Sequence, residues 1–204
     1  MHNLPPLQQS SFYHIYNHAV GDENVFREVT NYEHFLRLYE KYITPVADTF
    51  AWVLMPNHFH MLVRLKEVQD LQGFENLEGL DVSSSRNIYN QAFSNLFNAY
   101  TKAFNKRYQR RGSLLCNPFR RKQVDTREWL RQLILYIHHN PVKHGFCSHP
   151  VEYPWSSYLS LLSVKPTKIA RDKVIGWFDS KANFKALHDK DISMEETEEW
   201  LFSD

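Results

Sequence analysis

The element order predicts an α/β chain of the α+β type: an antiparallel β-α-β-β-α-β sheet with helices on both faces. Three observations predict it. Phe12–His18 is rich in aromatic and β-branched residues, and from Phe59 to Leu65 the chain reads as an alternating strand. Apolar residues recur at helical spacing around 31–43 and 87–108. Prolines, glycines and asparagines punctuate the chain between these stretches.

Phe12 to His18 opens the order as a strand of aromatic and β-branched residues, and Gly21-Asp22-Glu23-Asn24 follows as a turn. Asn31 is the expected cap of a helix reaching about Ile43, with Phe35, Leu38, Tyr39 and Tyr42 as its apolar stripe. Pro45 ends it. Phe50–Met55 is a second strand, and Pro56-Asn57 separates it from a third that runs to Leu65. Lys66–Ser85 is polar, contains Gly73, Gly79 and a Ser-Ser-Ser run, and reads as a long loop insertion. A second helix spans Asn87 to about Tyr108, with Ile88, Phe93, Leu96, Phe97, Tyr100 and Phe104 along one side. Leu114–Val124 is a fourth strand, interrupted by Pro118.

This order is the ferredoxin-like one, and it leaves one face of the sheet uncovered. A further helix is expected there. Asp125 caps it, Glu128 completes a capping box, and Pro141 stops it after Asn140. Beyond it lie Trp155-Ser156-Ser157-Tyr158 and a helical region over 170–188. The expected division is a core over 1–162 and a helical C-terminal extension over 163–204.

At 204 residues the chain is long enough to bury a full core. It is rich in aromatics, with 14 Phe, 11 Tyr and 5 Trp. No apolar run approaches the ~20 residues of a membrane helix, and residues 1–10 lack the regions of a signal peptide. Cys116 and Cys147 stand in no metal-binding spacing and make no disulfide framework. A cytoplasmic protein with free thiols and no membrane partner is expected. Net charge is only +1, but its distribution is uneven. Eight Lys and Arg lie between Lys102 and Lys122 with no acid among them, while Asp189–Asp204 carries seven acids against one Lys. The basic segment either tracks a phosphate backbone or is a solvated helix end, and charge alone favours neither.

Met55-Pro56-Asn57-His58-Phe59-His60-Met61-Leu62-Val63-Arg64-Leu65 is the most informative stretch. Strand geometry sends His58, His60 and Leu62 to one face and Phe59, Met61 and Val63 to the other. Two imidazoles on one strand face can bind one metal ion; for a bare His-x-His pair, buried histidines satisfied by hydrogen bonds are the commoner case. On the later helix Tyr136 and Asn140 are four apart and share a face. With that face over the histidine strand, His58, His60 and Asn140 can hold one Mg²⁺ or Mn²⁺, leaving positions for water and phosphate oxygens. The Tyr136 hydroxyl then sits beside it. The chemistry of such a set is phosphoryl transfer, with the phenol attacking a phosphodiester in line.

In their surroundings these residues resemble a known family, the single-tyrosine HUH transposases, and especially the branch associated with repetitive extragenic palindromes (REP). The matching stretches are Tyr13-His14-Ile15-Tyr16-Asn17, Leu54-Met55-Pro56-Asn57-His58-Phe59-His60, Tyr136-Ile137-His138-His139-Asn140-Pro141-Val142 and Pro154-Trp155-Ser156-Ser157-Tyr158. The resemblance implies that His58 and His60 are the metal pair, with Phe59 as its hydrophobic centre. It places Tyr136 at the nucleophile and Asn140 where related insertion-sequence enzymes carry a metal-binding glutamine. It further implies cleavage of single-stranded DNA beside a hairpin through a 5′-phosphotyrosine bond and a free 3′-hydroxyl, rejoined by the reverse attack without ATP. Single-stranded or hairpin DNA is the implied partner, and the protein a monomer or homodimer. Two features depart from the family: the long Lys66–Ser85 loop, and the segment beyond about Ser163, which has no counterpart there.

Candidate DNA contacts are His14, Tyr16 and Asn17 on the first strand, with Arg107, Arg110, Arg111, Arg120, Arg121 and Lys122 for the phosphate backbone. His14 or Tyr16 could stack on an unpaired base, with sheet packing the competing reading for Tyr16. His138 and His139 are expected on the helix's exposed side or against phosphate, and Trp155 as a core anchor. Three rivals remain. An inactive host-adopted DNA-binding protein descended from a transposase would be expected to have lost part of the His58, His60, Tyr136 and Asn140 set. An RNA-recognition module requires an aromatic strand motif that no strand here carries. A metal phosphodiesterase would use water as nucleophile and leave no covalent adduct.

Overall fold

Strands β1 (Phe12–His18), β2 (Ala47–Met55), β3 (His58–Leu65) and β4 (Arg120–Val124) form one antiparallel sheet in the order β2-β3-β1-β4. Helices α1 (Val29–Tyr42) and α2 (Val82–Arg107) complete the expected β-α-β-β-α-β order. After β4 come α3 (Arg127–Lys143), α4 (Tyr158–Leu162), α5 (Arg171–Trp177), α6 (Lys181–His188) and α7 (Glu195–Phe202). The structure is a computed structural model that describes residues 6–71, 82–190 and 194–202. Among the described residues no helix is long and apolar enough to cross a membrane.

Strand periodicity divides the interior into two cores. Tyr13 and Ile15 of β1 and Phe59, Met61 and Val63 of β3 face α1 and α2. Phe59 is fully buried, with ring centroids 5.3 Å from Phe35 of α1 and 5.5 Å from Phe97 of α2. Val53, Met55 and Leu62 on the opposite face meet Leu133, Ile134 and Ile137 of α3. Val174, Phe178, Phe184 and Leu201 of the C-terminal helices join that second core. Helix α3 is therefore covered by the sheet on one side and by the extension on the other, and Leu133 to Pro141 are all buried.

Registers decide which polar residues share the α3 face. Across β1 and β3, Tyr16 lies opposite His60 and His18 opposite His58. Across β1 and β4, His14 lies opposite Lys122 and Tyr16 opposite Arg120. Arg121 pairs with Ile15 and so turns to the α1/α2 face, where it donates to Asn90 Oδ1 at 2.8 Å.

Several boundaries differ from the sequence expectation. Helix α1 is capped by Glu28, not Asn31. Asn31 sits at the third helical position, and its Oδ1 accepts from Arg27 N (2.9 Å) and Glu28 N (3.3 Å). The cap of α3 is Thr126, whose Oγ1 accepts from Trp129 N at 3.2 Å; Asp125 is engaged by the Gln123 amide instead. Pro141 lies inside α3. It removes only the bond to Ile137, and the helix closes one turn later in a Schellman arrangement. Gly145, at φ +71°, donates to Val142 O, and Phe146 N donates to Pro141 O at 2.8 Å. Strand β2 starts three residues early, at Ala47, and carries a bulge between Thr49 and Ala51. Strand β4 begins only at Arg120; Leu115 before it makes an isolated bridge to Ala19. The expected loop over 66–85 holds a 3₁₀ turn at Val68–Asp70, and α2 already begins at Val82. Its middle, 72–81, lies outside the described residues. The helix expected over 170–188 is two, broken where Asp179 adopts φ +66° and Ser180 caps α6 through Asn183 N.

Candidate active site

The Pro56-Asn57 turn starts β3 at His58, so both histidines lie at the end of the strand that α3 crosses. Tyr136 and Asn140, one turn apart on α3, point onto that end. His58 Nε2 lies 3.0 Å from Asn140 Oδ1. The Tyr136 ring meets His60 edge-on at 5.4 Å and His14 at 6.4 Å. The His58 and His60 rings stand 5.2 Å apart, nearly perpendicular at 85°. The structure thus brings together all four residues singled out from the sequence.

Burial sets the electrostatics. It lowers the His58 imidazole to about 4, with His18 and His144 adding to the shift and Asn140 opposing it. It lowers His60 well below its ordinary value and His14 to about 3. These rings are neutral at physiological pH, the state in which an imidazole binds metal. Burial pushes the Tyr136 phenol up to about 12; the Asn140 amide offsets part of this, and the Glu198 carboxylate on α7 adds to it.

The donor set can be tested for fit to a cation. Asn57 Oδ1 lies 2.7 Å from His58 Nδ1, a contact that places the ring hydrogen there and leaves Nε2 bare. That bare nitrogen faces the Asn140 carbonyl oxygen, so two acceptors converge. Asn140 Nδ2 is buried with no hydrogen-bond partner. Exchanging the amide oxygen and nitrogen relieves the convergence but puts the oxygen at the unpartnered position. Two converging lone pairs are unfavourable alone; a cation beside His58, His60 and Asn140 would satisfy His58 Nε2 and Asn140 Oδ1, leaving Asn140 Nδ2 as a donor still to be paired. Among the described residues no group of three or more His, Cys, Asp or Glu is placed to hold a metal. The fitting set is therefore two imidazoles and an amide oxygen, neutral throughout.

The candidate DNA contacts are placed unequally. His14 and Asn17 are buried; Asn17 Nδ2 donates to Cys116 O at 2.9 Å. Tyr16, 5 % exposed, stacks against His14 at 4.7 Å and His60 at 5.8 Å. Arg120 is exposed on the site face beside Tyr16; burial lowers the His18 pKa, and the Arg120 charge adds to the shift. Lys122 shares that face, but its ammonium lies over the Trp200 ring of α7 and donates to the Trp200 carbonyl. Arg107 forms a two-pronged pair with Glu28 at 2.7 and 2.8 Å, and Arg110 pairs with Glu23 at 3.2 Å. Arg111 is exposed beyond α2.

The expectation for His138 and His139 is corrected: both are buried, because the extension packs on the outer side of α3. His188 Nδ1 donates to Phe184 O at 2.8 Å, so its Nε2 accepts from His138 Nδ1 at 2.9 Å. Ser157 Oγ then donates to His138 Nε2 at 2.7 Å and accepts from Trp52 N at 2.9 Å. Trp155 stacks on Tyr32 at 4.4 Å, and its carbonyl accepts from Leu54 N, anchoring the returning chain to β2.

Two neighbours of the site escaped the sequence reading. His144 caps α3 and meets the His58 ring at 5.2 Å. Its spacing of four from Asn140 could have revealed it, had Pro141 not been taken as the end of the helix. Glu198 ion-pairs with Lys143, and Trp200 stacks on Trp129 at 4.3 Å, laying acidic α7 along α3 with Glu198 close enough to Tyr136 to raise its pKa. No local signal in the acidic tail marks that contact.

The arrangement defines a class: a split β-α-β sheet with a His-x-His pair on a central strand and a tyrosine on a helix crossing that strand. Comparison with protein-family models and with curated proteins finds no match. Among solved structures, the chain is similar to a REP-associated tyrosine transposase bound to a REP hairpin. The TM-score is 0.59 at 17 % identity, covering 81 % of this chain and 89 % of that one. A similarity at that identity establishes a shared fold.

Proposed function

We propose that this protein is a metal-dependent, single-strand-specific DNA nuclease and strand transferase that acts beside hairpins, with Tyr136 as nucleophile. The observation that carries the proposal is the convergence of Tyr136 and Asn140 from one helix face on His58 and His60 of β3. The shared fold with a transposase bound to a DNA hairpin supports it.

His58, His60 and Asn140 would hold Mg²⁺ or Mn²⁺, whose charge polarises the scissile phosphate and stabilises the leaving oxygen when bound. The chain's own residues do the rest. Tyr136 loses its proton to solvent and its oxygen attacks phosphorus. A phosphorus–tyrosine oxygen bond forms, the bond from phosphorus to the 3′ oxygen breaks, and that oxygen takes up a proton. The products are a 5′-phosphotyrosine and a free 3′-hydroxyl. Attack by a 3′-hydroxyl on the phosphotyrosine reverses the step and joins strands. Arg120, exposed on the site face, would hold the incoming phosphate backbone.

Labelled single-stranded hairpin oligonucleotides, incubated with protein and Mn²⁺ and run on a denaturing gel, test this reading. The expected result is a shifted, metal-dependent band that disappears in Tyr136→Phe. Complexes on a native gel without a covalent band would favour an inactive DNA-binding protein, and cleavage without an adduct a water-using phosphodiesterase.

A further inference from the structure

We propose that His14 and Asn57 set the ring tautomers of His60 and His58, so that both imidazoles present bare Nε2 atoms to the cation. The inference rests on the metal-site reading above and assigns work to two residues outside the ligand set. His14 Nε2 lies 2.9 Å from His60 Nδ1, close enough that one hydrogen is shared between two nitrogens. With that hydrogen on His60, His60 Nε2 is free to ligate. With it on His14, His60 carries its own hydrogen on Nε2 and ligation is blocked. Asn57 does the same for His58 from the other side, its Oδ1 lying 2.7 Å from His58 Nδ1. A metal-binding imidazole almost always donates its second N–H to a fixed acceptor, which orients the ring and strengthens the ligand.

The surroundings of His14 suit this task. Its ring is fully buried and its plane lies within 9° of that of His60. Tyr16 stacks on both rings, which holds the two planes together. In this arrangement the His14 ring hydrogen sits on Nδ1, which is buried with no partner, so ligation at His60 Nε2 is what would favour it over the reverse tautomer. A carboxylate in this position would bring a buried negative charge; an imidazole directs the tautomer while leaving the site neutral. Asn57 differs in being exposed, so water can replace its oxygen.

The test is Mn²⁺ binding, followed by electron paramagnetic resonance or calorimetry, to the intact protein and its variants. His14→Leu removes the acceptor and should weaken Mn²⁺ binding about 10–100-fold. His14→Gln restores an acceptor oxygen and should stay within a few-fold of the parent, which separates the tautomer effect from lost packing. Asn57→Ala should cost less than His14→Leu. Nitrogen-15 NMR of the Mg²⁺-loaded parent should report hydrogen on Nδ1 of both His58 and His60, with His60 moving toward Nε2–H in His14→Leu. Equal Mn²⁺ affinity in the parent and His14→Leu, or Nε2–H at His60 in the Mg²⁺-loaded parent, would overturn this inference and leave the metal site standing. Failure of the parent itself to bind Mn²⁺ would overturn both.

Discussion

Raising the pH should accelerate formation of the covalent adduct about tenfold per unit, because the attacking group is a buried phenol. Burial holds the Tyr136 phenol near 12, so at pH 7 roughly one molecule in 10⁵ carries the phenolate. The sign follows from the direction of the shift. The reactive form is the deprotonated one, the pKa is raised, and the reactive fraction therefore grows with pH across the whole neutral range. His58 has the opposite displacement, to about 4, so it is already unprotonated and metal occupancy stays constant over the same range. The profile thereby isolates the phenol. Between pH 6.5 and 8.5, at saturating Mg²⁺ and under single-turnover conditions, the initial adduct rate should rise about 100-fold. A divalent cation beside the phenol lowers its pKa and moves the plateau down without changing the slope below it. The assay is quenched-flow sampling onto a denaturing gel, with Tyr136→Phe as the blank. A rate constant across pH 6.5–8.5 would refute the reasoning, because it would mean that the proton leaves to a base within the site and not to solvent.

Three further outcomes follow from the same structure. Phe59→Ala empties a site sealed by Phe35 and Phe97 and should cost about 3–5 kcal/mol in urea unfolding, although its neighbours His58 and His60 face the other way. His188, buried and lowered to about 3, is neutral in the folded protein, whereas the unfolded chain protonates near 6.5. Its contribution is complete above pH 6.5 and is lost as pH falls toward 3; the loss at pH 5 is about 2 kcal/mol, and unfolding curves of the parent and His188→Phe at pH 7 and 5 should differ in that direction. Arg120→Ala should lower the salt dependence of hairpin binding by about one unit of slope in a fluorescence titration, while Arg107→Ala, already paired with Glu28, should leave it unchanged.

The sequence by itself determined the strands, the faces of β3 and the β-α-β-β-α-β order, because a two-residue period and a helical period are local properties of backbone geometry. It also marked His58, His60, Tyr136 and Asn140: strand parity and helix spacing place each pair on one face, and the family resemblance of the flanking motifs singled these residues out from the other histidines and tyrosines. Arg120 and Arg121 were read together as DNA contacts, and only the register of β4 on β1 separates them, turning Arg121 to the α1/α2 face. Helix ends were less legible. Thr126 and Asp125 are both competent caps, and only the path of the chain into α3 decides which oxygen reaches Trp129 N. Pro141 cancels a single hydrogen bond, and the helix outlasts it because Gly145 can adopt a positive φ one turn later.

Only the tertiary structure decided what surrounds the site. His138 and His139 are buried because α6 and neighbouring elements cover the outer side of α3, a packing event that no pattern within α3 records. Glu198 reaches Lys143 at the C-terminal end of the same helix from more than fifty residues away. His14 meets His60 through a strand register fixed by the whole sheet. Local periodicity is written in neighbouring residues, whereas hydrogen bonds, burial and charge at the site depend on which distant surfaces meet, and those meetings are set by the packing of two complete cores.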